Sequence, residues 1–249
     1  MTATLAIARK ELRVYFVSPL FYVVTGLFVL GWGFFEGVYI VQNQADQPDA
    51  AFFYATLLLV FLAPLLTMRL IAQERQQGTI ELLMTNPVRD IEVVAGKFLA
   101  ALAMVGVMLA VTFVAVLLLM WTATDRSKVL GVNLGVVDWS AVGIGYLGNL
   151  LIFSAYAGIG IFASSVTRNQ ILAAVIGIVI LLVLVFGMSY ASGSLTSPVS
   201  DIATYLSPQT HAENFAKGVF ALPDLMYALT MTLVPLYLAV VSLSARKWH

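Results

Sequence analysis

Gly96-Lys97 is the nearest approach in this sequence to a phosphate-cradling loop. Such a loop reads G-x-x-x-x-G-K-[ST], because backbone N–H groups surround the phosphates and a hydroxyl meets the magnesium ion. Here Phe98 follows the lysine and Ile91 stands where the first glycine belongs. ATP hydrolysis by that route is excluded in this chain. Nucleophilic proteolysis inside a membrane needs a serine and a base that face each other. The histidines are His211 and His249, and Gly187-Met188-Ser189 lacks the second glycine of a nucleophile elbow. An intramembrane zinc site needs clustered His and Glu ligands, and the sequence has no such cluster. Cysteine is absent, so disulfides, thiolate catalysis and Cys-ligated metals are excluded.

Two isolated charges interrupt long apolar runs. Glu36 lies in Gly31-Trp32-Gly33-Phe34-Phe35-Glu36-Gly37. It reads either as an interfacial carboxylate reaching headgroup water or as a residue lining or gating a pathway. Arg69 closes the second run and reads as a snorkelling cation.

Of the 249 residues, 61% are apolar and 10% are charged, with 13 basic against 13 acidic. A soluble domain carries about 25% charged and about 45–50% apolar residues. That difference excludes a soluble enzyme, a nucleic-acid binder and a disordered chain. A helix needs about 20 apolar residues to cross about 30 Å of hydrocarbon. Segments near 20–41, 51–72, 99–121, 141–163, 171–190 and 225–244 qualify. They are continuous rather than alternating, so the expected fold is an all-α polytopic membrane protein with six transmembrane helices. A short amphipathic helix over 4–18, carrying Arg9, Lys10, Glu11 and Arg13, precedes the first span and ends at Ser18-Pro19. The chain reads as one membrane domain, 1–249, with no cleaved signal peptide.

Ten of the 13 basic residues fall on one side if the six spans alternate; only Arg126, Lys128 and Lys217 fall on the other. The positive-inside rule then places both termini in the cytoplasm of a cell (inner) membrane. His211 lies in the outer segment before the last span. It reads as a structural hydrogen-bonding residue, with a ligand role as the alternative. Small residues at Gly33/Gly37, Ser154/Gly158 and Gly160/Ser164 allow close helix approach, either within the chain or to a second subunit.

The inner segment between spans two and three carries the most information. Glu74 is followed by Gly78, which stops a helix, Thr79, which can cap the next, and Glu81 in that helix's first turn. Ile80, Leu83 and Met84 then share one face, and Asn86-Pro87 ends the helix. A short exposed amphipathic helix suits a groove on a soluble partner. On physics alone a loop resting on the membrane is an equal alternative.

The pattern Glu74, Gly78, Thr79, Glu81, Leu82, Leu83, Pro87, followed by Gly96-Lys97, resembles the coupling region of ABC transporter permeases of the type 2 exporter family. Ala8-Arg9-Lys10-Glu11-Leu12 before Ser18-Pro19 is similar to that family's interfacial elbow helix. Ser18-Pro19-Leu20-Phe21-Tyr22, Ser207-Pro208, His211, Phe215, Lys217-Gly218-Val219 and Asp224 to Tyr227 resemble its gliding-motility-associated subgroup. The resemblance implies a coupling helix that docks on a separate ATP-hydrolysing subunit, which would bind ATP and Mg. It also implies a second permease subunit, same or related, and an outer helical hairpin before the last span. No cofactor is expected in this chain, and no nucleic-acid partner. The competing readings are a stand-alone channel or secondary carrier, in which Glu36 would be the functional group, and a non-transporting membrane assembly subunit. Substrate is not legible in the spans.

Overall fold

The computed structural model describes residues 3–43, 49–79, 89–130 and 139–245. Among them every element is helical. Helix α1 (Ala3–Val17) lies before Ser18, and α2 (Pro19–Asn43) starts at the proline, whose fixed φ suits a first helical position. Then follow α3 (Asp49–Thr67), α4 (Arg69–Gln76), α5 (Asp90–Leu130), α6 (Trp139–Val166) and α7 (Gln170–Leu182). A π-helical turn, Val183–Gly187, joins α7 to α8 (Met188–Ser194). Two short helices, α9 (Val199–Leu206) and α10 (Pro208–Ala216), precede α11 (Leu222–Ser244).

Six of these segments are long and apolar enough to cross a membrane: Pro19–Val38, Ala50–Gln76, Asp90–Leu117, Trp139–Val166, Gln170–Ser194 and Leu222–Ser244. The protein is an all-α polytopic membrane protein, and α9 with α10 forms a helical hairpin before the last span.

Helix α6 is the axis of the bundle. In its most apolar stretch 72% of residues are buried, against 22% in α11 and 28% in α2. It packs on α11, α3, α7, α10 and α5. Small residues make this possible, since lipid supplies no hydrophobic drive for helix association. Gly145 receives the Phe52 ring of α3, Gly148 receives Phe215 of α10, and Gly160 receives the Thr67 hydroxyl. A Cβ at Gly158 would lie 2.9 Å from the Thr232 carbonyl oxygen of α11. One residue pair away, the Ser154 and Thr232 hydroxyls are 2.8 Å apart. The small-residue pairs of span four therefore serve packing inside the chain. Gly33 and Gly37 differ, with nothing within 4 Å of where a Cβ would stand.

Several boundaries differ from the sequence expectation; the helix of the third span, for one, runs on to Leu130 rather than ending near 121. The second span is not one helix, because the chain breaks between α3 and α4 at Met68. Pro64 removes a backbone donor, and the Thr67 hydroxyl bonds back to the Ala63 carbonyl at 2.9 Å. Ser164 of α6 repairs the break. Its hydroxyl donates to Met68 O at 2.7 Å and accepts from Ile71 N at 3.1 Å and Ala72 N at 2.9 Å. The third span begins at Asp90 rather than 99. Apolar periodicity cannot find that start, because Asp90, Glu92 and Lys97 interrupt it. Both acids lie in the first turn, where they suit the helix dipole, and the Glu92 carboxylate accepts from Arg89 N at 2.9 Å.

Candidate functional site

The candidate site is a clasp of charges at the end of the bundle that carries α1. Lys97, on the first turns of α5, is almost wholly buried, with 1% of its side chain exposed. Its ammonium lies 2.9 Å from Glu11 Oε1 of α1 and 2.9 Å from Glu74 Oε2 of α4. Lys10 reaches the other oxygen of Glu74 at 3.1 Å and stands 4.0 Å from Glu11. Two ammonium groups and two carboxylates thus join three helices. A buried lysine is costly unless paired, and this one is paired twice.

Partial burial works against the Lys10 charge. The Glu74 hydrogen bond and the Glu74 and Glu11 carboxylates outweigh it and hold Lys10 above its ordinary value of 10.5.

Gly96 makes the clasp sterically possible. A Cβ there would stand 2.8 Å from Thr4 O and 2.9 Å from Ile7 Cβ, so only glycine lets α1 lie this close to α5. The Gly96-Lys97 pair, which fails as a phosphate loop, is a docking point for α1. Along α1, Arg9, Lys10 and Arg13 are exposed while Glu11 is buried. The four residues share a helix but not a role.

A second set of contacts ties α1 to the head of α4. The Arg69 guanidinium lies 3.9 Å over the Tyr15 ring and donates to Ser18 Oγ at 2.7 Å. The Tyr15 hydroxyl donates to the Leu66 carbonyl, and burial pushes this phenol well above its ordinary range. Arg69 is thus spent on the elbow rather than on open water.

Beyond α4 the chain leaves this clasp. Gly78 adopts a left-handed φ of 70°, and Gly78 N donates to Arg75 O at 3.3 Å, which ends the helix as its position predicts. The Thr79 hydroxyl bonds back to Glu74 O at 3.3 Å. Glu81, Leu82, Leu83 and Pro87 lie outside the described residues.

Glu36 sits apart from the clasp, near the far end of α2, and is 95% buried. Of the two readings of Glu36, that burial departs from the carboxylate in headgroup water and does not test the pathway-lining one. The neighbouring Phe35 ring stacks on Tyr54 at 4.6 Å.

At the far end, His211 is also buried, and its ring is fully engaged. Nδ1 is 2.5 Å from Asp224 Oδ1 and Nε2 is 2.9 Å from Tyr205 O. The ring stacks on Tyr227 at 3.9 Å. Asn214 donates to Asp224 Oδ2 at 3.1 Å, and the Tyr227 hydroxyl to Leu206 O at 3.0 Å. The group ties the α9–α10 hairpin to the head of α11. Among the described residues no three His, Cys, Asp or Glu gather as a metal site.

The sequence marks Glu74, Lys10 and Glu11 as site candidates but not their meeting with Lys97, which stands out there only beside Gly96. The one signal was a lysine seven residues into a helix that turns apolar at once.

The sequence matches the profile of the ABC-2 family transporter protein over residues 5–248. The chain belongs to the ABC-2 transporter family. An ABC-2 family protein of this kind is the membrane component of an ABC transporter and works with an ATP-hydrolysing ABC subunit rather than hydrolysing ATP itself. Comparison with curated proteins finds no match.

Proposed function

We propose that this ABC-2 protein is the permease subunit of an ATP-driven exporter, formed by a single membrane domain over 1–249 and resident in the inner membrane with both termini cytoplasmic. The ATPase subunit binds ATP and Mg and docks on the segment from Glu74 to Pro87, with Gly78, Thr79, Glu81, Leu82 and Leu83 forming the coupling elements. A second permease subunit completes the pathway. The subgroup we assign is the gliding-motility-associated one, on the patches at 18–22 and 207–227.

The observation that carries this reading is the clasp. The segment that leads into residues 79–88 is ion-paired to both the elbow helix and the base of α5 through Glu74 and Lys97. A displacement of that segment is therefore delivered to two elements at once. Coupling of this sort requires only that the partner bind two arrangements of the permease with different affinity.

The test is affinity purification of the tagged full chain from its native membrane, with bound proteins identified by mass spectrometry. A P-loop ATPase in stoichiometric amount is expected. Reversing Glu74 and Glu81 together should reduce its recovery or the ATPase rate of the complex. Purification without an ATPase, or a complex indifferent to both reversals, overturns the assignment.

A further inference from the structure

A cavity of about 620 Å³ lies between α5 and α6, open along one side and lined almost wholly by apolar atoms. Its floor is made of small residues: Gly106, Ala110 and Gly143. At Gly106 and Gly143 a Cβ would meet nothing within 4 Å, so the hollow exists because side chains are missing there. Its walls include Leu109, Phe113, Tyr146 and Leu150, and Trp139 stands at one end.

Length places this groove in the bilayer. From Trp139 to Leu150 an α-helix rises about 16 Å. Half of a hydrocarbon core of about 30 Å is about 15 Å. Trp139 begins the span and its side chain is 54% exposed, the position where tryptophan rings meet headgroups. The groove therefore runs from one interface to the bilayer centre, the depth of one leaflet.

Chemistry and shape narrow the occupant. Among the described lining residues the one hydroxyl is already spent: Tyr146 donates to Thr112 Oγ1 at 3.4 Å, and Thr112 donates to Leu109 O at 2.8 Å. A sugar or a charged headgroup placed here would lose its hydration without replacement. Spread over about 16 Å, 620 Å³ is a slender open groove that follows the two helices along their length. The groove also continues into the apolar surface of Val107, Val111 and Val114, which is exposed on the same span and faces lipid in a membrane.

We propose that this groove is an acyl-chain site, holding one chain of a bilayer phospholipid from the leaflet at the Trp139 end, its headgroup beside that residue.

The test reconstitutes the full chain in phosphatidylethanolamine vesicles that contain a lipid with a mid-chain diazirine. After photolysis, adducts are mapped by peptide mass spectrometry. Adducts are expected to concentrate on 106–113 and 139–150. They should exceed several-fold those on Val175 and Val179 of α7, which are exposed on another face. Filling the floor with Gly106→Leu and Gly143→Leu should remove the excess and leave the α7 adducts unchanged. Both sites have room for a side chain, and an unchanged α7 pattern confirms that the variant is folded. Equal labelling of both faces overturns the site, as does an excess that survives filling. A third outcome also overturns it. Because the chain has no cysteine, Leu147→Cys alone reports chain-to-chain disulfides. Efficient crosslinking there means that a second copy covers the groove.

Discussion

Lys97 Nζ stands 2.9 Å from the carboxylate of Glu11, a residue 86 positions earlier in the chain. Removing this ammonium, as in Lys97→Met, leaves Glu11 and Glu74 facing each other with Lys10 as their remaining cation in the clasp. Breaking a buried ion pair from one side costs about 3–5 kcal/mol. The expected result is a fall of several degrees in the unfolding temperature in detergent, followed by thermal-shift fluorescence. Glu11→Gln on top of Lys97→Met should recover part of the loss, because it removes one stranded charge.

Lys10 offers the contrast. Its side chain is more than half exposed, so Lys10→Ala should cost about 0–1 kcal/mol and less in high salt. Its raised value also fixes a sign. Stability contributed by Lys10 is fully present below 10.5 and is lost as pH rises through the higher folded value. Thermal unfolding measured from pH 9 upward should show a small alkaline loss in the wild type that Lys10→Ala lacks.

The approach of α1 to α5 rests on one missing side chain. Gly96→Ala should push α1 away from α5 and destabilise the protein by about 1–3 kcal/mol through overpacking. Increased cleavage of α1 by protease added to detergent-solubilised protein would report the detachment. Gly33→Ala has open space and should be neutral or stabilising by up to about 1 kcal/mol through helix propensity. A large loss at Gly33 would reveal that another subunit packs there.

The His211 group makes a local prediction. Asp224 receives bonds from Asn214 and faces His211 Nδ1 while buried. His211→Leu leaves Asn214 as the donor to that carboxylate and takes the ring N–H from the Tyr205 carbonyl, at about 1–3 kcal/mol for a buried polar group that loses its partner. Hydrogen exchange should rise across α9 and α10 while α5 and α6 stay protected. A uniform rise would mean that the group holds the whole bundle rather than the hairpin.

Six spans, the elbow and the glycine stop at residue 78 were legible because each is written in a local signal: apolar length, a charged amphipathic stretch, or a glycine at a helix end; the hairpin was legible only through the family resemblance. The clasp was not. Two spans separate Glu11 from Glu74, Lys97 lies on the next span, and no local rule says which lysine will meet which carboxylate. Apolar length also hid the break at Met68, since a kink does not change hydropathy. Its repair depends on Ser164, a residue legible only as small. Glu36 shows a related limit: an acid close to a span end reads as interfacial or as pathway-lining, and only packing shows that it is enclosed.

The pairing of Glu11 with Lys97 also sets an order of events in synthesis. Glu11 is made before its partner, which follows 86 residues later, about 4–17 s at bacterial-to-eukaryotic elongation rates of about 5–20 residues per second. During that interval two spans are synthesised while α1 has no cation on α5 to hold it. The elbow can close only once the third span has begun to emerge, so its docking records that the first half of the bundle has been delivered in register.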